Sequence, residues 1–450
     1  MTSVIYNTEP EKRLIAEEIT KNHDTFWLLF ILFHIPIAIV LKEVPALGIA
    51  HAWLVLGYGA ITTIISHKDS PRPLYTMGYL VGSEVVWRIC GLDPLVPWFA
   101  SGYGICVLAL IGISKRYSSI QKWPVIPFLY ILVLLPSFIL VMDKDLVFLR
   151  RSVLENILGP LVLGLVSIYL YRFPITRQHL KHFSFIAVGP ICAVWALSVH
   201  STLTSDVFYG RSSNPEVTAG FGPNQVSNTL SYGVMLCWLL ILTVLDRYRE
   251  RFILLLLSFS FLFIMLLSFS RGGVVTLALL VPATLIMSTN LKAGKKARTK
   301  TGTLVISFVV VFFVAYIWSV ALSVTEGSLY DRYFEGSDSG RTDILASEIA
   351  LWFEHPLFGV GPGGTTAYLN VRTHTEFSRL LAEHGFWGII AIVLLLIGPL
   401  RQYKGSGPSG KIWIVAAFVF TVMYFLQAAT RTVAPIVIYG TIWLDFSKAD

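Results

Sequence analysis

Charged residues are scarce in this chain, and their scarcity is the first fact that bounds its structure. Only 14% of its 450 residues are Asp, Glu, Lys or Arg, whereas 55% are hydrophobic, and the mean hydropathy is +0.68. A soluble globule of this size needs more polar surface than this composition supplies. The composition therefore excludes a soluble protein and predicts a polytopic membrane protein.

Cysteine and the common metal and nucleotide motifs are also missing or few. The four cysteines lie in or beside apolar segments, without CxxC or Cys/His spacing, at Cys90, Cys106, Cys192 and Cys237. We therefore expect neither a disulfide framework nor a zinc site. The sequence has no HExxH, and the predicted outer loops have no Walker-type pattern. We accordingly expect no metal site and no cofactor.

We expect no cleavable signal peptide, because the first apolar run, 26–41, follows a charged stretch and precedes no small-residue cleavage site. The formal net charge of +8 raises the alternative of a nucleic-acid partner. Lys and Arg, however, lie in short connecting loops rather than on a stripe with exposed aromatic residues. We therefore expect a retained first helix, no nucleic-acid partner, and basic loops that face the cytoplasm.

The apolar runs predict the fold class. Crossing about 30 Å of hydrocarbon takes about 20 residues in a helix, and the sequence has many runs of about that length. We predict an all-α, polytopic transmembrane bundle of about 12–14 helices. The predicted segments are 26–41, 46–66, 74–90, 94–114, 123–142, 156–173, 182–204, 223–245, 252–269, 273–289, 302–322, 376–399, 411–430 and a short piece at 432–446.

One large polar loop interrupts the apolar sequence. We divide the chain into transmembrane helices at 1–321, the loop at 322–375 and C-terminal transmembrane helices at 376–450. The basic run at 292–300 places its own connection in the cytoplasm, and the large loop then lies outside. Apolar residues at helical spacing predict a short amphipathic helix at 342–354, and the glycine-rich stretch at 359–364 cannot be helix interior.

Three arginines in the predicted outer loops and turns are candidate anion ligands. Arg271 lies at a sharp turn, in Ser270-Arg271-Gly272-Gly273, where glycines permit close approach of a ligand to the backbone. Arg211 and Arg431 lie in outer connections as well, and a guanidinium binds phosphate through two parallel hydrogen bonds. The alternative for each is an interfacial or solvated loop arginine.

Other polar residues are placed to support the same site. Glu84 and Arg88 are four residues apart in an apolar helix and are expected to pair, which makes the burial of both tolerable. Arg341 lies in the large loop, while Asn224 and Gln225 open a helix after Pro223. Without further information, an ion pair and a helix cap are the simpler interpretations of these groups.

His374 stands where the large loop returns to the membrane. Its imidazole has a free pKa near neutrality, which suits a general base that takes a proton from a sugar hydroxyl. The alternative is a structural histidine at a helix start. Its position beside several arginines at one face of the bundle nevertheless predicts a site for a lipid that carries a diphosphate.

Several short motifs resemble those of the O-antigen ligase and O-antigen polymerase superfamily of bacterial envelope glycosyltransferases. They lie mainly in the C-terminal half and flank the large loop in a characteristic order. The motifs are Gly220-Phe221-Gly222-Pro223-Asn224-Gln225-Val226-Ser227, Ser270-Arg271-Gly272-Gly273, Gly340-Arg341, His355-Pro356-Leu357-Phe358-Gly359-Val360-Gly361-Pro362-Gly363-Gly364, His374-Thr375-Glu376-Phe377 and Glu383-His384-Gly385-Phe386-Trp387-Gly388.

The resemblance implies a glycosyltransferase of the bacterial inner membrane with its active site facing the periplasm. It implies a donor glycan on undecaprenyl diphosphate, His374 as the base, Arg271 and Arg211 as diphosphate ligands, and inversion at the anomeric carbon. The acceptor is a lipid A core for a ligase, a second lipid-linked glycan for a polymerase of O-antigen or exopolysaccharide, or a protein hydroxyl. An alternative function of another class is that of a flippase or transporter of lipid-linked glycan.

Overall fold

The computed structural model describes residues 9–92, 95–116, 123–142, 144–148, 154–210, 212–245, 247–291, 300–335 and 340–449. In its N-terminal half the helices are α1 (Glu9–Glu43), α2 (Pro45–Ile65), α3 (Arg72–Ile89), α4 (Leu95–Pro97), α5 (Gly104–Arg116), α6 (Val125–Leu132), α7 (Leu146–Phe148), α8 (Leu154–Leu170) and α9 (Arg177–Thr204). The C-terminal half contains α10 (Pro223–Leu239), α11 (Tyr248–Leu267), α12 (Arg271–Leu291), α13 (Lys300–Val324), α14 (Ser328–Tyr330), α15 (Arg341–Glu354), α16 (Gly364–Leu369), α17 (Glu376–His384), α18 (Phe386–Gly405), α19 (Pro408–Ala428) and α20 (Ala434–Gly440).

Short irregular helices and two strands complete the described chain. The π-helical turns are Trp98–Tyr103, Leu240–Val244 and Asp331–Glu335, and the 3₁₀ turns are Pro136–Val141 and Thr441–Trp443. Strand β1 (Pro174–Thr176) pairs in parallel with β2 (Asp445–Lys448), so that Pro174 is opposite Asp445. This pairing ties the C-terminal segment to the connection between α8 and α9.

The all-α, polytopic fold class is confirmed. In the part of the chain that is described, nine helices are long and apolar enough to cross a membrane. A tenth arises if the bent pair Val310–Val324 and Ser328–Glu335, at 113° to each other, forms one span, and shorter apolar helices lie at Val125–Val141, Asn156–Leu170 and Ala434–Trp443. Helix α3, predicted as a crossing, is almost wholly buried and carries Glu84 and Arg88 inside the bundle.

The predicted continuous helix at 376–399 is wrong, because the chain breaks at Gly385. Gly385 has a φ of +59°, and a Cβ there would lie 2.7 Å from the Gly359 nitrogen. Helix α17 therefore ends where the glycine-rich stretch of the large loop packs against it. The Val360 and Gly361 amides donate to the carbonyls of Ala382 and Glu383 at 2.9 and 3.0 Å. The loop is thus fastened to α17 rather than lying free above it.

The large loop contributes a helix that packs on the membrane bundle. Helix α15 confirms the helix predicted at 342–354. It packs against α17, which in turn packs against α18 and α19. Its Glu348 is fully buried on that side, whereas Phe353 is 69% exposed. The first turns of α10, α12 and α17 lie near one end of the bundle, which we term the site end.

Candidate functional site

Arg271 is the first residue of α12 and stands where two helix starts meet. The Ser270 hydroxyl donates to the Asn224 side-chain oxygen on α10 at 2.8 Å. The N-termini of α10 and α12 are thereby joined, and each presents backbone amides and the positive end of a helix dipole. This arrangement, with a guanidinium at its edge, suits an anion.

The glycines after Arg271 serve helix packing. A Cβ on Gly272 would lie 2.2 Å from the Gln427 side-chain oxygen, and one on Gly273 would lie 2.5 Å from the Ser227 carbonyl oxygen. Protein atoms occupy the space that a Cβ would take at both positions, and the approach of a ligand to the backbone at this turn stays a prediction. The two glycines allow the start of α12 to fit closely between α10 and α19.

Arg332 lies beside the turn that precedes Arg271, and nothing in the sequence indicated this position. Its Nε donates to the Phe269 carbonyl at 3.1 Å, in the turn just before Arg271. Burial lowers the pKa of Arg332, and the neighbouring guanidiniums of Arg271 and Arg341 lower it further. Arg271 and Arg341 thus both act electrostatically on Arg332, and the three arginines create a region of positive potential.

His374 lies between α16 and α17, directly before the capping residue of α17. The Thr375 hydroxyl accepts the Ser378 amide at 3.1 Å and so starts the helix. Among the described residues, no group bonds to His374 Nδ1, which is buried. Burial lowers the pKa of His374 to about 4, and Arg431 and Arg341 add to the effect. The imidazole is therefore neutral at physiological pH and able to accept a proton.

Arg431 stands beside the histidine. Its Nη2 donates to the carbonyl of Thr373 at 2.6 Å, one residue before His374. Burial lowers the pKa of Arg431, and nearby cations, including Arg372 and Arg341, lower it further. Arg341 therefore acts electrostatically on both His374 and Arg431, as it does on Arg332. The structure brings Arg271, Arg341, Arg431 and His374 into one cationic region.

The predicted supporting residues also lie around this region. Glu84 pairs with Arg88 at 2.8 Å, and its second oxygen accepts the Val433 amide at 2.9 Å, two residues after Arg431. The Arg88 guanidinium lies 6.0 Å from the centre of the Phe221 ring, in the motif that leads to Asn224. Gln225 folds back against Gly222. Arg211 lies outside the described residues.

Helix α17 carries a buried charge network that sequence reasoning missed. Arg379 pairs with Glu376 at 2.5 Å and with Glu383 at 3.6 Å, and its Nη1 donates to the Asn156 carbonyl of α8 at 2.5 Å. Glu376 in turn accepts from the Thr430 amide and hydroxyl at 3.0 and 3.2 Å. The sequence signal for this network was charged residues three and four positions apart inside a segment predicted to be a membrane helix.

Glu348 adds a further carboxyl group from α15. It accepts from the Ser378 hydroxyl, which also bonds to that of Thr375. Its other oxygen is buried and has no partner in the described part of the chain. Burial raises the pKa of Glu348 from the usual 4.5 to about 7, although Ser378 and Arg379 oppose the shift. Burial likewise raises the pKa of Glu383 to about 7.

We predict that Glu348→Gln stabilises the protein at pH 8 but not at pH 5. A carboxyl whose pKa is higher in the folded than in the unfolded state stabilises the fold fully below its unfolded pKa. This stabilisation is lost as the pH rises through the folded pKa, which is about 7 for Glu348. Glutamine stays neutral, so the variant gains up to about 3 kcal/mol at pH 8. Thermal unfolding midpoints at both pH values test this.

The matched control for Glu348→Gln is Glu354→Gln, at an exposed position on the same helix. It is expected to leave the pH dependence of the midpoint as in the wild type. Glu383 titrates in all three proteins, and because the Glu348 charge helps to raise the pKa of Glu383, removing that charge adds to the gain expected at pH 8. Equal increases in the unfolding midpoint for Glu348→Gln at pH 5 and pH 8 would contradict a raised pKa for this carboxyl.

The sequence of this region matches a known family. Residues 252–393 match the family model described as O-antigen ligase, and no curated protein matches the chain. The matched stretch runs from α11 into α18 and contains Arg271, Arg341 and His374. With its many apolar helices, the chain is a multi-pass membrane protein, and the match over residues 252–393 supports membership of the O-antigen ligase superfamily and a membrane glycosyltransferase-like enzyme.

Proposed function

We propose that the protein transfers a glycan from undecaprenyl diphosphate to an acceptor hydroxyl at the periplasmic face of the bacterial inner membrane. One observation carries this proposal. A half-buried histidine, whose Nδ1 has no partner among the described residues, lies beside Arg431, which donates to the neighbouring Thr373 carbonyl, and Arg341 also acts on it electrostatically. A neutral base beside cations is what attack on a diphosphate-linked sugar requires.

In the proposed reaction, the acceptor oxygen attacks the anomeric carbon of the donor sugar. The new glycosidic bond forms as the bond from that carbon to the diphosphate oxygen breaks, and His374 takes the proton of the acceptor hydroxyl. Attack opposite the leaving group inverts the anomeric configuration. Negative charge grows on the departing diphosphate, which Arg271, Arg431 and the sequence-predicted Arg211 neutralise in place of a metal ion.

Several groups would support these steps. Arg341 acts electrostatically on Arg332, His374 and Arg431, and it would add positive charge around the diphosphate. Asn224, at the joined helix starts, fixes the turn that presents Arg271. Gln225 follows it in the first turn of α10. The Glu84 and Arg88 pair braces the turn that carries Arg431. The acceptor is a lipid A core for a ligase or a second lipid-linked glycan for a polymerase.

The proposal is tested with the purified full chain in lipid vesicles that contain undecaprenyl-diphosphate glycan. With a lipid A core present, we expect a core-linked glycan and released undecaprenyl diphosphate. Lengthened lipid-linked glycan without added core identifies a polymerase instead. Movement of the lipid-linked glycan across the bilayer without a new glycosidic bond would overturn the proposal in favour of a flippase. A requirement for added Mg²⁺ would overturn its metal-independent form.

A further inference from the structure

The turn that carries Arg431 is bound by two buried carboxylates. It connects α19 to α20, and Ala429, where it begins, has a φ of +49°. Glu376 accepts from the amide and hydroxyl of Thr430, directly before Arg431. Glu84 accepts from the amide of Val433, two residues after it. The backbone on both sides of the arginine is therefore fixed by a charged acceptor from another helix.

Each of these carboxylates is itself fixed by an arginine on its own helix. Glu376 Oε1 pairs with Arg379 Nη2 at 2.5 Å, and Glu84 Oε1 pairs with Arg88 Nη2 at 2.8 Å. The side chains of Glu376 and Glu84 are 1% and 3% exposed. Hydrogen bonds to a charged acceptor in such a site are short and directional. Neither carboxylate can rotate without breaking an ion pair and leaving a buried charge.

The same contacts form a closed ring around the histidine. Arg431 donates to the carbonyl of Thr373, and Glu376 binds Thr430. His374 lies between Thr373 and Glu376 in sequence, while Thr430 is bonded along the chain to Arg431. The ring therefore fixes the histidine segment and the arginine turn to each other at two points.

We propose that Glu376 is a positioning residue that sets Arg431 relative to His374, with Glu84 as a second brace on the same turn. This inference rests on the proposed function. Neither carboxylate needs to touch substrate, because both of their oxygens are engaged by the protein. Their role is to place the cation that receives the leaving diphosphate at a fixed distance from the base that accepts the proton. An error of about 1 Å in such a placement can cost about 10²-fold in rate.

A double-mutant cycle tests whether Glu376 acts through Arg431. Wild-type transfer is measured first, since its absence would refute the proposed function rather than this inference. We expect Glu376→Gln to lower kcat about 10- to 100-fold in the wild-type background. In an Arg431→Ala background the same change should lower kcat less than about 3-fold, because the residue that Glu376 positions is gone. Equal losses in both backgrounds would overturn the inference.

Milder variants keep the test decisive if Glu376→Gln does not fold. Thr430→Val removes the hydroxyl that donates a hydrogen bond to Glu376. Loss of one such bond predicts a fall in kcat of about 2- to 12-fold, whereas Thr430→Ser should retain the wild-type kcat. Glu84→Gln, crossed with Arg431→Ala, should show the same non-additivity. Equal kcat for Thr430→Val and Thr430→Ser, or additive losses for Glu84→Gln, would overturn the role of the corresponding contact.

The matched control is Glu250→Gln. Glu250 is a buried carboxylate with an arginine, Arg247, three residues away at 3.6 Å. It lies at the start of α11, about 30 Å along the helix from the turn before Arg271. Its replacement should leave transfer unchanged even if it lowers the unfolding midpoint. If Glu250→Gln lowered kcat as much as Glu376→Gln, the loss of any buried carboxylate would be enough to lower kcat. That result would overturn the inference.

Discussion

Replacing His374 with alanine is expected to lower glycan transfer about 10²- to 10⁴-fold, the usual contribution of a positioned general base. The histidine is neutral because burial and the charges of Arg431 and Arg341 lower its pKa to about 4, so the wild-type imidazole can accept the acceptor proton near pH 7. Alanine removes that acceptor and leaves the arginines in place. The product formed per minute at saturating donor and acceptor is the measurement.

Two further measurements make the His374→Ala result specific. Binding of undecaprenyl diphosphate should stay within about 3-fold of the wild type, since interactions that bind the ground state are preserved. His200→Ala, at an exposed position on α9, should transfer at the wild-type rate. Full transfer by His374→Ala would refute its assignment as the base and leave the membrane transferase without a described proton acceptor.

Arg271→Ala is expected to lower kcat about 10²- to 10³-fold, the cost of removing one group that stabilises charge in the transition state. Charge on the diphosphate grows as the sugar departs, so kcat should fall more than donor affinity. Arg271→Lys should recover only part of the loss, because a lysine supplies the charge but not the two parallel hydrogen bonds. Steady-state kinetics and a donor-binding assay separate the two effects.

The control for Arg271 is Arg247→Gln, at the opposite end of α11. It should leave kcat and donor affinity within about 2-fold of the wild type, as expected of a change remote from the chemistry. An Arg271→Ala variant with wild-type kcat would exclude this guanidinium from the leaving-group site. Recovery of full activity by lysine would show that charge alone matters at this position.

Several features of this protein follow from sequence alone. Long apolar runs and few charges require a helical membrane bundle, since only helices or closed barrels satisfy the backbone in hydrocarbon. The polar stretch at 322–375 predicted a loop outside that bundle. Arginines and a histidine at the ends of apolar runs marked the candidate site, and the structure brings Arg271, Arg341, Arg431 and His374 together.

Only the tertiary structure decided what those residues touch. The break at Gly385 depends on its contact with Gly359, and hydropathy cannot show such a contact. Glu84 is paired by local spacing, yet its bond to the Val433 amide joins residues 349 positions apart. From sequence, Glu376 and Arg379 were only charged residues in a predicted membrane helix. The structure shows that Glu376 accepts from Thr430 and that Arg379 donates to Asn156. Local patterns report which groups are buried, whereas long-range packing selects their partners, and at this site those partners fix the arginine relative to the histidine.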